Sequence, residues 1–291
     1  MISGKTTVIA HLGYPTFACK APMIYNPWFD KNDIDAVVVP MGVKPEDYRE
    51  FFPLLFKMSN IRGALVTMPH KVITTELVDE LTPIALVAGA SNAVLVHADG
   101  SLPGDQFDGA GFARGVARKG FDAAGKSALV VGNGGVGSPI AASLVDAGPS
   151  RIGLFDPFIN ASEVLAERLN KHYPDVEVTI GSKDPEGYDL VVNATPLGMK
   201  DDDPMPIEAD RMAPSTFVAD VVMKQTITPF LQAAIDKGCQ IQIGKNMLFE
   251  QIPAYLEFIG SGRRHPTSFA PSADPRLNDA RVAVRAGHDG D

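Results

Sequence analysis

Three groups of residues in this sequence could do chemistry. The first is the run VVGNGGVGSP, in which Gly132, Gly134 and Gly137 are spaced as G-x-G-x-x-G. It follows a short apolar run and opens a helix-patterned stretch, the setting in which this spacing binds a dinucleotide. The first glycine permits a tight turn, the second lets the backbone approach a pyrophosphate, and the third lets the helix pack closely. Free amides at the helix start accept the anion. Gly135 adds clearance, and Asn133 and Val136 complete the loop. The second group is Asp156, 19 residues beyond Gly137 at the end of the next apolar run. A carboxylate there accepts hydrogen bonds from both adenosine ribose hydroxyls and repels a 2′-phosphate. LFDPFIN offers no Arg or Lys to grip such a phosphate, so NAD is expected over NADP. The third is Lys71, which ends the run ALVTMPHK, together with Asp108. Hydride transfer between an alcohol carbon and nicotinamide needs a group that takes or returns the hydroxyl proton. A lysine beside a carboxylate can hydrogen-bond the reacting oxygen while the carboxylate orients it. Sequence alone leaves open whether Lys71 and Asp108 meet.

The elements that must position these groups follow from periodicity. TVIAHLG (7–13), DAVVVPMGV (35–43) and ALVTMPH (64–70) are short apolar runs bounded by turn residues and read as strands. DYREFFPLLFKMSN (47–60) has helical spacing, and ITTELVDELTPIALVAG (73–89) reads as one or two short helices. GFARGVARKGF (111–121) reads as a connecting helix. From there strands and helices alternate: SALVVG (127–132), a helix over 134–148, RIGLFD (151–156), a helix over 161–173, then VEVTI, YDLVVNAT, TFVADVV and CQIQIG. This is the rhythm of a doubly wound parallel sheet. The expected fold class is α/β in two domains, an N-terminal α/β substrate-binding domain and a C-terminal Rossmann-type nucleotide-binding domain.

Composition narrows the function further. The 291 residues include 35 acidic and 26 basic ones, and 45% are apolar. That acidic balance argues against a large nucleic-acid or anionic-membrane footprint. Cys19 and Cys239 are the only cysteines, without disulfide or metal-ligand spacing. No apolar run is long enough to span a bilayer, and MISGKTTVIAHLG lacks a signal-peptide core, so a cytoplasmic location is expected. The histidines lack ligand spacing, no metal is expected, and DDDP (201–204) reads as a solvated loop.

Across roughly residues 8 to 260 the chain resembles the shikimate dehydrogenase family and its quinate/shikimate relatives. Val66-Thr67-Met68-Pro69-His70-Lys71 matches the family's Val-Thr-x-Pro-x-Lys block, which implies that Lys71 is the catalytic lysine. Gln106-Phe107-Asp108-Gly109 stands for its Asn-Thr-Asp-Gly element, implying Asp108 as the paired acid. Gly89-Ala90-Ser91-Asn92-Ala93 places Asn92 as a substrate-binding asparagine, and Gly244-Lys245-Asn246-Met247-Leu248-Phe249-Glu250-Gln251 nominates Gln251 for a substrate hydroxyl. NATPLGM (193–199) matches the loop near nicotinamide. The resemblance thus assigns Asn193, Ala194, Thr195, Pro196, Val221 and Gly244 to the cofactor, and Thr67 as a minor substrate contact.

The departures are concentrated in one place. Two family serines that bind the substrate carboxylate correspond here to Cys19 and Ala21, a weak donor and none. Each lost hydrogen bond to a charged group is worth about 1.5–3 kcal/mol. Lys20 is the candidate compensating charge. Leu65 replaces a polar residue, Ala93 a threonine and Met223 a tyrosine, so a more apolar pocket is expected. These readings combine into an NAD-dependent dehydrogenase for a small hydroxylated, cyclic or related alcohol, with shikimate a poor substrate. Two readings stay open beside it: a noncatalytic NAD-binding sensor or regulator, and a dehydrogenase for an aminated shikimate analogue. The expected layout is a substrate-binding and catalytic domain over 1–110, a nucleotide domain over 111–242, helices over 243–262 that the resemblance returns to the first domain, and a loose tail over 263–291. The two domains would enclose a cleft in a monomer or homodimer.

Overall fold

The computed structural model describes residues 1–261, so the tail expected over 263–291 lies outside the described residues. The described chain divides into two compact units, one formed by Met1–Phe107 with 252–261 and the other by Asp108–Gln251.

The first unit contains β1 (Thr7–Gly13), α1 (Ala21–Lys31), β2 (Ala36–Gly42), α2 (Pro45–Leu55), β3 (Ile61–Val66), α3 (Lys71–Thr74), β4 (Glu80–Leu81), α4 (Pro83–Ala88), β5 (Ala93–Leu95) and β6 (Pro103–Asp105). Its sheet runs β2-β1-β3-β5-β6-β4, with β1 parallel to both β2 and β3, and β5 antiparallel to β3 and β6. Alternation along β1 sends Ala10 and Leu12 to one face. There they pack with Ala64, Val66 and Val94 against Tyr48, Phe52 and Leu55, one stripe of α2. Ile9, His11 and Gly13 therefore face the other way.

The second unit holds α5 (Asp108–Arg118), β7 (Ser127–Val131), α6 (Gly137–Asp146), β8 (Arg151–Phe155), α7 (Ile159–His172), β9 (Glu177–Ile180), β10 (Leu190–Asn193), β11 (Phe217–Asp220), α8 (Pro229–Asp236), β12 (Gln240–Gln242) and the start of α9 (Gly244–Ser261). All six strands are parallel in the order β12-β11-β10-β7-β8-β9. The order reverses direction at β7, the switch point at which doubly wound sheets open a crevice for a dinucleotide. The expected α/β class with a Rossmann-type C-terminal domain is therefore present.

Several expected boundaries move. The strand expected to run to residue 70 ends at Val66, because Thr67 to His70 turn away before Lys71 starts α3. The segment read as one or two short helices over 73–89 holds parts of two, α3 and α4, with β4 between them. No helix among the described residues is long and apolar enough to cross a membrane.

Candidate active site

Lys71 owes its position to the turn that follows β3. Thr67 continues the strand by one bond, its amide donating to Leu12 O at 2.8 Å, and Met68 O accepts the Tyr14 amide at 3.2 Å. Both Tyr14-Pro15 and Met68-Pro69 are cis. The His70 amide closes the turn onto Thr67 O, and its ring stacks on Tyr48 with centroids 3.9 Å apart while Nε2 meets Val43 O at 2.8 Å. Thr74 then caps back onto His70 O through both its amide and its hydroxyl. Lys71 O accepts the Ser91 amide at 2.8 Å, which ties the lysine's backbone to the residue before Asn92. The Lys71 side chain is half-buried.

Asn92 is 1% exposed and held on every side but one. Its amide donates to Asp105 O, its carbonyl accepts Val66 N and the Tyr255 hydroxyl, and its Oδ1 accepts the Phe107 amide at 2.9 Å. Fixing Oδ1 orients the side-chain amide, and the buried Nδ2 is left with no partner. A buried donor without an acceptor is costly and marks a position where a ligand oxygen would complete the bond.

The replaced serine positions lie in the same unit. Cys19 follows a single 3-10 turn and closes it with its amide on Thr16 O, while Ala21 begins α1. Gly13 brings Cys19 and Thr67 together: a Cβ on Gly13 would overlap Thr67 Cγ2 and lie 3.7 Å from Cys19 Sγ. Burial raises the Cys19 thiol, so it stays protonated and a poor donor. Lys20 is exposed, with its backbone spent at the start of α1.

Sequence reasoning set His11 aside for lack of ligand spacing, and the structure places it in the same unit as these residues. It lies on the Gly13 face of β1, directly opposite Leu65 of β3. The side chain is 8% exposed and its Nδ1 is buried without a partner. Burial first and the nearby Lys71 charge second depress its pKa to about 4, so the ring is neutral at ordinary pH.

In the second unit the dinucleotide loop has the shape its glycines require. Gly132 adopts φ +94°, and a Cβ there would come within 2.8 Å of the Ala194 backbone. A Cβ on Gly137 would overlap Gly132 O, so the first and third glycines close the turn against the fold itself. Gly134 and Gly135 differ: a Cβ at either meets nothing within 4 Å. They are exposed at the start of α6, where open space and free amides fit a pyrophosphate. Asn133 turns inward, its Oδ1 accepting the Ser162 hydroxyl at 2.7 Å, and Ser138 Oγ bonds Asn133 O. Its side chain builds the loop, leaving the surface to its neighbours.

The loop over 193–198 is held from beneath. Asn193 donates to Leu197 O and to Asp220 Oδ1, and accepts both the amide and the hydroxyl of Thr195. Asp220, raised by burial, also accepts Val222 N at 2.9 Å and Thr228 Oγ1 at 2.7 Å. This buried carboxylate gave no signal in the sequence beyond ending an apolar run. Ala194 extends the β7 ladder, Pro196 is exposed, Val221 N bonds Asn193 O, and Gly244 starts α9 against the Val221 and Val222 carbonyls. The acidic run at 201–203 serves the same loop through Asp203, which accepts the Gly198 and Lys200 amides. Asp108 is the buried first residue of α5, and Gly111 of that helix packs against Gln251. Gln251 is buried with its Oε1 unpartnered.

Residues 12–94 match the model for the shikimate dehydrogenase substrate binding domain. The shikimate dehydrogenase (NADP(+)) of Rubrobacter xylanophilus is 35% identical over 254 residues, 86% of this chain and 89% of that protein. The chain belongs to the shikimate dehydrogenase family. The Rhodospirillum rubrum member, also named for NADP(+), is 33% identical over 96% of this chain and 98% of its own. The shikimate 5-dehydrogenase structure from Listeria monocytogenes, solved with shikimate and NAD, superposes with a TM-score of 0.84. It is 27% identical and covers 97% of this chain and 98% of that one. The family membership makes this protein an oxidoreductase of the shikimate dehydrogenase type.

The expectation of NAD is corrected by the Rubrobacter xylanophilus and Rhodospirillum rubrum relatives, both named for NADP(+). The physical ground for it was Asp156, and both oxygens of that carboxylate are engaged within the chain. Oδ2 accepts the Asn133 amide at 2.8 Å and Oδ1 the Phe158 amide at 2.9 Å. Outside LFDPFIN, Lys183 Nζ lies 6.0 Å from the ring centroid of Phe155, at the end of β8.

Proposed function

We propose that this protein is an NADP-dependent dehydrogenase that interconverts a secondary alcohol and a ketone on a small hydroxylated molecule, with shikimate itself a poor substrate. The observation that carries the reading is the backbone-anchored turn that presents Lys71, in the same unit as the unpartnered Asn92 amide. Bound NADP supplies or receives the hydride at its nicotinamide. The chain's own part is to hold the reacting oxygen and move its proton. Lys71 carries that proton, with Asp108 as the acid the family pattern pairs with it, and Asn92 Nδ2 donates to a substrate oxygen. Thr67 and Gln251 contribute further polar contacts.

Gly134, Gly135 and the α6 amides are the proposed pyrophosphate seat, and Lys183 beside Phe155 is the proposed cation for the 2′-phosphate. Divergence in substrate rests on Cys19 and Ala21, which leave a substrate carboxylate without two good donors. The exposed position of Lys20 supports a pocket without a dedicated carboxylate clamp.

The test is a rate measurement at the reduced-nicotinamide absorbance band, with NADP(+) or NAD(+), on shikimate, quinate and their methyl esters. NADP(+) is expected to give the higher kcat/KM, the esters to exceed the acids, and Lys183→Ala to raise KM for NADP(+) while sparing NAD(+). Turnover of shikimate at ordinary family efficiency would remove the divergence reading, and preference for NAD(+) would remove the coenzyme assignment.

A further inference from the structure

We propose that the His11 imidazole is a substrate-recognition group whose Nε2–H holds an oxygen on the carbon next to the one that reacts at Lys71, selecting an uncharged, vicinally hydroxylated alcohol or ketone. This rests on the reading of Lys71 as the proton-carrying group and adds to it a residue and a substrate class.

Placement comes from the strand geometry. Ala10 and Leu12 are spent in the core beneath α2, so His11 and Gly13 occupy the opposite face of β1. On that face Gly13 touches Thr67 and Cys19, His11 lies beside Leu65 in register, and the charge of Lys71 is felt at the imidazole. His11 thus stands among the substrate-side residues of its unit.

The ring's chemistry follows from what it lacks. Its Nδ1 is buried without a hydrogen-bond partner. An orphaned buried N–H costs more than an orphaned lone pair, so the proton belongs on Nε2. The ring then offers a single neutral donor on the strand paired with the one that leads to Lys71. A neutral donor serves a hydroxyl or keto oxygen; it does not replace the strong clamp that a carboxylate needs. Leu65, opposite, has no hydrogen-bonding atom in its side chain, Ala21 has none, and Cys19 is a weak donor. His11 and Asn92 are therefore the proposed neutral donors for substrate oxygens, and His11, on the strand tied to the turn that leads into Lys71, is assigned the oxygen next to the reacting one.

Two measurements test this with the full chain. The first is steady-state kinetics with NADP(+) on methyl shikimate and on the analogue in which hydrogen replaces the hydroxyl next to the reacting carbon. His11→Phe is expected to lose about 10- to 100-fold in kcat/KM on the hydroxylated ester, as one hydrogen bond would give, and under about twofold on the deoxy analogue. His11→Gln, which keeps a donor, is expected to recover part of the loss. Equal losses on both compounds, or none on either, would overturn the proposal. The second needs no turnover: in protein labelled with 15N-histidine, methyl shikimate is expected to shift the His11 Nε2 resonance and the deoxy analogue to leave it in place. A shift without turnover keeps the inference and removes the dehydrogenase reading. Turnover without a shift removes the inference alone, and the absence of both removes both.

Discussion

Burying a neutral histidine next to a lysine has a consequence for stability that can be worked out directly. His11 titrates near 6.5 when the chain is unfolded and at about 4 when folded. Its folded pKa is depressed, so between these values the unfolded chain binds more protons, and stability rises with pH. The contribution is complete above about pH 6.5 and is lost as pH falls from there towards 4. Linkage between the two pKa values gives a destabilisation from this residue of about 2 kcal/mol at pH 5 and almost nothing at pH 8. The perturbation is His11→Leu, which fills a similar space and cannot titrate. Urea unfolding of both proteins from pH 8 to pH 5 should show the wild type losing about 2 kcal/mol relative to the variant. NMR of the His11 Cε1 proton should give a midpoint near pH 4, in agreement with the depressed value. A wild-type-minus-variant difference that stays flat over this range, or a His11 midpoint between 6 and 7, would refute the burial and charge argument.

Other expected outcomes test the remaining pieces. Gly134→Ala should leave the melting temperature unchanged or slightly raised while weakening NADP(H) binding by at least about tenfold, since its Cβ meets nothing in the protein but intrudes on the pyrophosphate seat. Gly137→Ala should instead destabilise the second unit at the upper end of the ~1–3 kcal/mol typical of overpacking, because its Cβ would overlap Gly132 O; calorimetry separates the two. Lys71→Met should lower kcat by about 10²- to 10⁴-fold with NADP(H) affinity, read by fluorescence titration, held within about twofold. Asp220→Asn turns one buried acceptor into a donor facing Thr228, Val222 or Asn193, and should cost about 1–3 kcal/mol in thermal unfolding.

The sequence displays what periodicity and glycine spacing encode. TVIAHLG reads as a strand and is β1 over the same residues, and the alternation after residue 127 becomes the parallel sheet. Helix α1 escaped notice because Pro22 and Pro27 break its pattern; Pro22 sits in the first turn, where the missing amide costs nothing. β4, β5 and β6 have two or three residues each, too few for any period to show. Helix α5 begins earlier than its apolar spacing suggests, with Gly109 and Gly111 fitting it closely against α6 and α9. Among the proposed site residues, the glycine loop, Lys71 and Asn92 can be nominated from local motifs. Those proposed from tertiary placement cannot. His11 looks like any strand residue until register sets it beside Leu65, and Asp203 looks like part of an acidic run until it is seen capping two amides.

The pattern of departures from the family has a structural cause. The turn that presents Lys71 is fixed by backbone bonds from Thr67, Tyr14, His70 and Ser91 and by the His70–Tyr48 stack, so substitutions there would disturb the core beneath α2 as well as the chemistry. The segment carrying Cys19 to Ala21 is a 3-10 turn leading into α1, closed by the Cys19 backbone amide and with no side-chain cap. Lys20 within it is exposed. Position 65 lies in a buried strand, where Leu keeps the packing that a polar residue would have to offset with a hydrogen bond. On the proposed reading, recognition differs at 19, 21 and 65, with His11 supplying a donor across the strand, while the turn that presents Lys71 is kept.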